Sequence, residues 1–587
     1  MKDSGSRDCC GLITCWWDSL SAMRKHALIF SGFLAFFLLL LLPIPMSGSM
    51  LGTVDTLFGP ALSNTFLNRL RALLSGAFVG QSMYPADIAR YGETGVGLAS
   101  IFVLFRAVGF DDIYSLYFTQ VCLLASMAFA TVLLARQYTQ HLSSAVLAGF
   151  IFSASNYVWA DVDHLPIHFY FLPLVSAYFL KRAIRQTSPR LLLAAGAAGG
   201  LEIYFSVQVY IYQTLILAVI ALFGLRELWN GYSLREKCAF AACYALLPLP
   251  LVLFYLNTVI NLGVVDVFPR TQWEQIYSLQ LSDFRMALPN KLIMYPFTTA
   301  SEGGWPRVAH SAFVGVAAPV LALVGLKGLS KQRLELVAMG LVGLLFSLGS
   351  TIDVGGIQIT SPLFLFYRYV PLAQYLRVAH RGYSIFLLAM GILAGLGWER
   401  LAERLRKRNN TLPRVGLVFA FVFVAAENIS WPLNIYETMK YPAIPQGYVE
   451  FFRDKPDALI LDLPSNSTSW PDYIDEVIYV IWQTKHERNI LGGVSGYYPP
   501  SRIETQHNTD LLPSEEAFRY FQDLGVTHFV WHNSPFLVCH IPHSELGCDP
   551  LTGTRSGIVA EGYSWLEGSP FLRLVFENDV ISVYELQ

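Results

Sequence analysis

Residues 26–46 enclose an unbroken apolar run, FLAFFLLLLLP, and stretches of similar length and character recur along most of the chain. A helix of about 20 apolar residues spans the roughly 30 Å hydrocarbon core of a bilayer. Within that core every backbone polar group must be satisfied inside the protein, so such a sequence folds as a bundle of transmembrane helices. Composition agrees: 54% of the residues are hydrophobic and 14% are charged, against roughly 25% charged in soluble domains. The net charge of −2 supplies no field that would gather nucleic acid. The run at 26–46 follows Arg24 and Lys25 and is not followed by a small-residue cleavage site, so it reads as a permanent first helix rather than a signal peptide.

Spans are expected near 26–46, 112–135, 142–160, 165–181, 190–206, 207–225, 237–260, 311–328, 334–349, 383–399 and 415–430, about eleven in all. The pair 190–206 and 207–225 needs a tight turn around Ser206–Gln208. Residues 94–110 are apolar but follow a glycine-rich stretch and contain Arg106, and are expected to be interfacial or half-inserted. Loop cations set the orientation. With the segment 1–25 in the cytoplasm, the inner loops carry Lys181, Arg182, Arg185 and Arg190; Arg226, Arg235 and Lys237; Lys327, Lys331 and Arg333; and the run from Arg400 to Arg414. An odd number of spans then places the C-terminus outside. Three long outer loops result, 47–111, 261–310 and 350–382, too polar and too broken by Pro and Gly to face lipid. The spans hold few acids while ionisable residues crowd the outer boundary, which points to chemistry at the outer surface rather than to a path through the bilayer.

Residues 431–587 read as a separate α/β domain of about 150 residues, enough for its own core. ALILDLP (458–464) is a short buried strand, and EEAFRYFQDLG (515–525) an amphipathic helix ending at Gly525. VTHFVWH (526–532) is a second strand, and LRLVFENDVISVYEL (572–586) a hairpin turning at Asn578–Asp579. Cys539 and Cys548 are the only cysteines of this part, and on an oxidising face they form one disulfide or remain two thiols. The neighbouring histidines lack a C-x-x-C, so zinc has little support there.

Several groups at the outer boundary suit catalysis or binding. Asp55 lies about nine residues beyond the first span, where partial desolvation favours a general base; it also suits a divalent-metal ligand or a plain helix cap. Glu93 lies in RYGETGVG, whose glycines suit close approach to a ligand or an ordinary turn. Asp161, Asp163, His164 and His168 crowd the end of the third span, as ligands to substrate or to a metal such as Mg or Mn, or as capping groups of the next helix. Arg377, His380 and Arg381 fall within YLRVAHRGYS, against the positive-inside trend. Arginines just above hydrocarbon suit a lipid phosphate through bidentate contacts, or simply anchor the headgroup region. No Walker A loop, G-x-S-x-G or H-E-x-x-H occurs, which argues against a nucleotide motor and against hydrolases of those types.

Three stretches, GETGVGLASIFVLFRAVGF (92–110), SNYVWADVDHLPIHFYFLPLVSAYFLKRAIR (155–185) and LRVAHRGYSIFLLAMGILAGLGWERL (376–401), with LGVTHFVWH (524–532), resemble the bacterial GT-C-like membrane proteins of the YfhO type. The layout as a whole resembles the GT-C superfamily of integral membrane glycosyltransferases. The resemblance implies a multi-pass protein of the bacterial inner membrane with a periplasmic C-terminal domain, using a polyprenyl-phosphate sugar donor and a glycan or lipid acceptor. It implies that Asp55 deprotonates the acceptor hydroxyl, that Asp161 or Asp163 lies near the donor or a metal, and that Arg377 and Arg381 hold the departing lipid phosphate. Asp55 stands between Val54 and Thr56, without the paired acid of some GT-C enzymes. A non-catalytic carrier-binding or assembly protein on the same fold, or a flippase of lipid-linked sugar, are the alternative readings.

Overall fold

The apolar runs end where capping residues can satisfy the free amides of a helix. The computed structural model describes residues 21–47, 49–51, 96–160, 170–253, 278–287, 291–300, 311–328, 330–354, 357–369, 378–430, 438–440, 446–463, 465, 473–493, 500–532, 564–578 and 581–587. Helix α1 (Ala22–Leu41) starts at Ser21, whose hydroxyl accepts the Arg24 N–H at 3.4 Å, and stops before Pro43. After α2 (Val96–Val108), Asp111 caps α3 (Asp112–Ala135) by accepting the Tyr114 N–H at 2.8 Å. Helix α4 (Leu142–Ser153) leads into a short turn of helix at Asn156–Ala160. Helix α5 (Phe171–Gln186) ends on Thr187, and Pro189 opens α6 (Pro189–Leu201), where its missing N–H costs nothing. Helices α7 (Val207–Phe223), α8 (Leu225–Gly231) and α9 (Leu234–Leu246) follow. The bundle is completed by α10 (Ala317–Leu326), α11 (Lys331–Ser347), α12 (Tyr383–Arg408) and α13 (Leu412–Asn428).

Among the described residues, four helical stretches are long and apolar enough to cross a membrane: Met23–Met46, Asp112–Ala135, Leu142–Ala160 and Ala379–Arg408. The bent pair α7–α8, with a 75° angle between its halves, makes a fifth if taken as one span. Helices stand at the other expected positions, but α5, α6, α9, α10, α11 and α13 are shorter. The expected tight turn between α6 and α7 is a 3₁₀ turn at Glu202–Tyr204, after which the Ser206 hydroxyl accepts the Val209 N–H at 3.2 Å. The stretch expected to be interfacial at 94–110 is the helix α2.

Helix α12 is buried over most of its length and packs on α4, α10 and α11. Small residues make this possible. A Cβ on Gly397 would lie 1.8 Å from the Leu321 carbonyl oxygen, and one on Gly325 would lie 2.1 Å from that of Leu393. The backbones of α10 and α12 therefore touch, the close approach that glycine and alanine permit between helices in a membrane.

Three acidic side chains are consumed inside the bundle. Glu335 accepts hydrogen bonds from the Lys181 ammonium and from the Tyr138 hydroxyl, the latter at 2.6 Å. Lys181 is thus a buried partner in α5 and not the loop cation read from the sequence. Glu427, at the end of α13, accepts the Val316 and Ala317 N–H groups at 2.8 and 3.1 Å, so it caps α10 from another helix. Glu399 does the same for the start of α4, accepting the Gln140 N–H at 3.0 Å.

The chain leaving α13 returns to the beginning of the protein. Strand β1 (Ser49–Leu51) pairs antiparallel with β2 (Thr438–Lys440). A five-stranded sheet follows, built from β3 (Leu459–Leu463), β4 (Asn489–Ile490), β5 (His528–His532), β6 (Leu572–Glu577) and β7 (Ile581–Leu586) in the order β6-β7-β5-β3-β4. Strands β3, β4 and β5 are parallel, and the hairpin β6–β7 adds an antiparallel edge. Helices α14 (Gln446–Arg453), α15 (Tyr473–His486), α16 (Pro500–Asp510) and α17 (Glu515–Leu524) accompany it. Gly525, at φ 85°, ends α17 as a left-handed cap. One apolar cluster joins Tyr448, Ile478 and Trp482 of this layer to Phe102, Leu116 and Leu123 of α2 and α3, and Lys485 reaches Asp112 at 2.9 Å.

His486, the last residue of α15, and His528, the first of β5, are both buried. Burial, helped by the nearby Arg488, pushes His486 down to about 3 from an ordinary 6.5. Burial, helped by Lys455, pushes His528 down to about 4. The unfolded chain therefore binds more protons than the folded one below pH 6.5, and stability falls as pH is lowered from there toward the folded values. At pH 5 the His486 contribution is about 2 kcal/mol. Thermal unfolding of the full chain, followed by tryptophan fluorescence, is expected at a lower temperature at pH 5 than at pH 7, and His486→Phe is expected to narrow the gap. Equal transitions at both pH values would contradict this.

Candidate functional site

The chain enters α12 through one 3₁₀ turn, Ala379–Gly382, and all four residues are buried. The Tyr157 hydroxyl lies 2.8 Å from His380 Nδ1 and 3.0 Å from the His380 carbonyl oxygen. A hydroxyl has one proton, so both contacts are satisfied when Tyr157 donates to the carbonyl and accepts from Nδ1–H. The Arg381 guanidinium donates to Gln208 Oε1, which α7 supplies from its first turn. Tyr212, one turn further along α7, donates to the Val378 carbonyl at 2.9 Å. Tyr170 meets Ser384 Oγ at 2.7 Å, and Ser384 donates to the Arg381 carbonyl at 2.7 Å. Tyr383 donates to the Ala312 carbonyl at 2.7 Å. Side chains from three other parts of the chain, Tyr157, Tyr170 and the first turns of α7, therefore fix this turn. Of the cations expected above the hydrocarbon, His380 and Arg381 sit inside the bundle, 1% and 5% exposed. A guanidinium stays charged at any accessible pH, and its burial favours an anion nearby.

A polar belt continues from the turn. The Asn156 N–H donates to Asn428 Oδ1 at 3.3 Å, and Asn156 Nδ2 donates to the Ser311 carbonyl at 2.7 Å. Lys291, buried, donates to the Asn428 carbonyl and so neutralises the end of α13. Asn428 heads an N-x-S sequence but is only 2% exposed, which leaves no room for a glycan.

Asp55, Glu93, Asp161, Asp163, His164, His168 and Arg377 lie outside the described residues; this includes all four residues expected to hold a divalent metal. The described ends of the segments that carry Arg377 and Asp161 nevertheless come together. Val378 directly follows Arg377. Tyr157, four positions before Asp161, is bonded to His380. Trp159, two positions before Asp161, packs on Phe37 of α1 with ring centres 6.4 Å apart, and α1 leads through β1 toward Asp55. Sequence reasoning gave Tyr157, Gln208 and Tyr212 no functional role, because the two tyrosines lie in apolar runs and read as core and Gln208 reads as part of the tight turn at Ser206–Gln208. Their one signal is position: each lies within a few residues of an expected outer helix end.

No protein-family model matches this sequence, and no curated protein matches it. Comparison with solved structures is informative. The chain is similar to the arabinofuranosyltransferase AftD from Mycobacteria, with a TM-score of 0.57 and 14% sequence identity over 97% of this chain and 40% of that one. It also aligns with the archaeal oligosaccharyltransferase AglB from Archaeoglobus fulgidus, with a TM-score of 0.45 and 12% identity over 87% of this chain and 70% of that one. The first likeness shows a shared fold: nearly the whole of this chain is laid out as in a glycosyltransferase. This chain spans 40% of the length of that neighbour.

Proposed function

We propose that this protein is a GT-C-type membrane glycosyltransferase. It transfers a sugar from a polyprenyl-phosphate-linked donor to an envelope glycan or lipid acceptor, at the outer face of a bacterial inner membrane. The observation that carries the reading is the buried His380–Arg381 turn, tied to the stretch before Asp161 in a fold shared with an arabinofuranosyltransferase. In this reading Asp55 takes the proton of the acceptor hydroxyl as its oxygen bonds to the anomeric carbon. The bond from that carbon to the donor phosphate oxygen breaks on the opposite side, which inverts the configuration. Arg381, with Arg377 and His380, neutralises the charge that grows on the departing phosphate. Glu93 lines the acceptor side, and Asp161, Asp163, His164 and His168 bind substrate or a divalent metal. In this reading the chain crosses the membrane about eleven times and its C-terminal α/β layer faces the periplasm.

The test is donor affinity in nanodiscs. Arg381→Gln is expected to weaken binding of a polyprenyl-phosphate sugar by roughly tenfold or more, the value of one charge-assisted contact, and Arg381→Lys to recover part of it. Unchanged donor binding by a folded Arg381→Gln protein would remove the phosphate role.

A further inference from the structure

A second convergence of polar side chains lies about 30 Å along α12 from the His380 turn. Glu399 and Glu403, one helical turn apart on α12, face His141, which stands at the N-cap of α4. One ligand atom from each residue, a ring nitrogen and two carboxylate oxygens, lies within 4.8 Å of the others. Glu399 is buried and fixed in place: its Oε2 accepts the Gln140 N–H at 3.0 Å and the His141 N–H at 3.4 Å. Glu403 is exposed and His141 half-buried, and among the described residues neither side chain has a hydrogen-bond or ion-pair partner.

That lack of partners is informative because cations are at hand. Two carboxylates held this close repel each other unless a positive charge lies between them. Arg400, Arg404, Arg406, Lys407 and Arg408 share the helix, and Arg136 shares the turn with His141. Arg400 instead donates to the Val324 and Gly325 carbonyls at 2.7 and 3.1 Å. Arg136 donates to the carbonyls of Thr139 and Gln140.

We propose that His141, Glu399 and Glu403 bind one divalent transition-metal ion. Two carboxylates balance the double positive charge, and the imidazole favours zinc, with cobalt as its spectroscopic substitute, over magnesium, calcium and manganese. Metal–ligand distances of about 2.0–2.2 Å bring the three donor atoms closer together than they now stand. Glu403 and His141 make that adjustment by side-chain rotation, because neither is held by another partner. Three protein ligands leave a position for water. The ion ties the turn between α3 and α4 to α12, far from the His380 turn, so it serves the fold and not sugar transfer.

The full chain, without a histidine tag, is purified in detergent, stripped with a chelator and titrated with Co²⁺ and Zn²⁺. Calorimetry and the visible absorption of bound Co²⁺ report binding. Wild type is expected to take up one equivalent and to melt at a higher temperature when loaded. His141→Ala and Glu403→Gln are expected to bind at least roughly tenfold more weakly, and Glu403→Gln, altering an exposed side chain, to melt like the stripped wild type. The proposal is overturned if wild type shows no saturable binding, or if both variants bind as wild type does.

Discussion

Glu335→Ala is expected to destabilise the protein by about 3–5 kcal/mol, the cost of stranding one partner of a buried ion pair. Glu335 is 1% exposed, and two donors converge on it, the Lys181 ammonium from α5 and the Tyr138 hydroxyl beyond α3. Removing the carboxylate leaves the ammonium enclosed over the Tyr138 ring, 4.9 Å from its centre, with no anion to offset its desolvation. The double variant Lys181→Met, Glu335→Leu removes both charges and fills the space with apolar groups. It is expected to recover most of the lost stability, since a buried pair is worth little against a packed apolar substitute. Thermal unfolding in detergent compares the three proteins. A single variant as stable as wild type would show that the pair carries no such load.

Gly397→Leu is expected to prevent the bundle from closing. The first side-chain atom alone would sit 1.8 Å from the Leu321 carbonyl oxygen, and backbone cannot rotate out of the way as a side chain can. Helices α10 and α12 must separate, which exposes the apolar seam between them and costs more than the roughly 1–3 kcal/mol of an ordinary overpacked core. Gly32→Ala is the control, because nothing lies within 4 Å of the position a Cβ would take there. The control, a glycine in the interior of α1, is expected to lose no stability and to gain roughly 0.5–1 kcal/mol from helix propensity. Size-exclusion profiles and melting curves of the two variants separate the outcomes. A monodisperse Gly397→Leu protein would mean that α10 and α12 do not meet as described.

How much of this was legible depends on the range of the signal. The run that forms α12 announces itself by length and apolarity, and β3 and β5 by short apolar stretches bounded by turn residues. The end of α17 was set by Gly525 alone. Pairings across the bundle were not legible. Lys181 reads as a loop cation until Glu335, 154 positions away, is seen beside it. Glu399 and Glu427 read as span-end acids, whereas each caps a helix distant in sequence. At the candidate site, local charge against the positive-inside trend picked out His380 and Arg381. It gave no hint that Tyr157, 223 positions from His380, holds that turn to the stretch before Asp161.

The most direct test of the central claim is turnover of lipid-linked sugar by the purified protein in nanodiscs, with a panel of radiolabelled polyprenyl-phosphate sugars and wild type set beside Asp55→Asn. Wild type is expected to consume at least one donor, and Asp55→Asn to bind it without consuming it. Donor bound tightly and never turned over by wild type would mean that the protein is not a glycosyltransferase, and equal turnover by Asp55→Asn would mean that Asp55 is not the base.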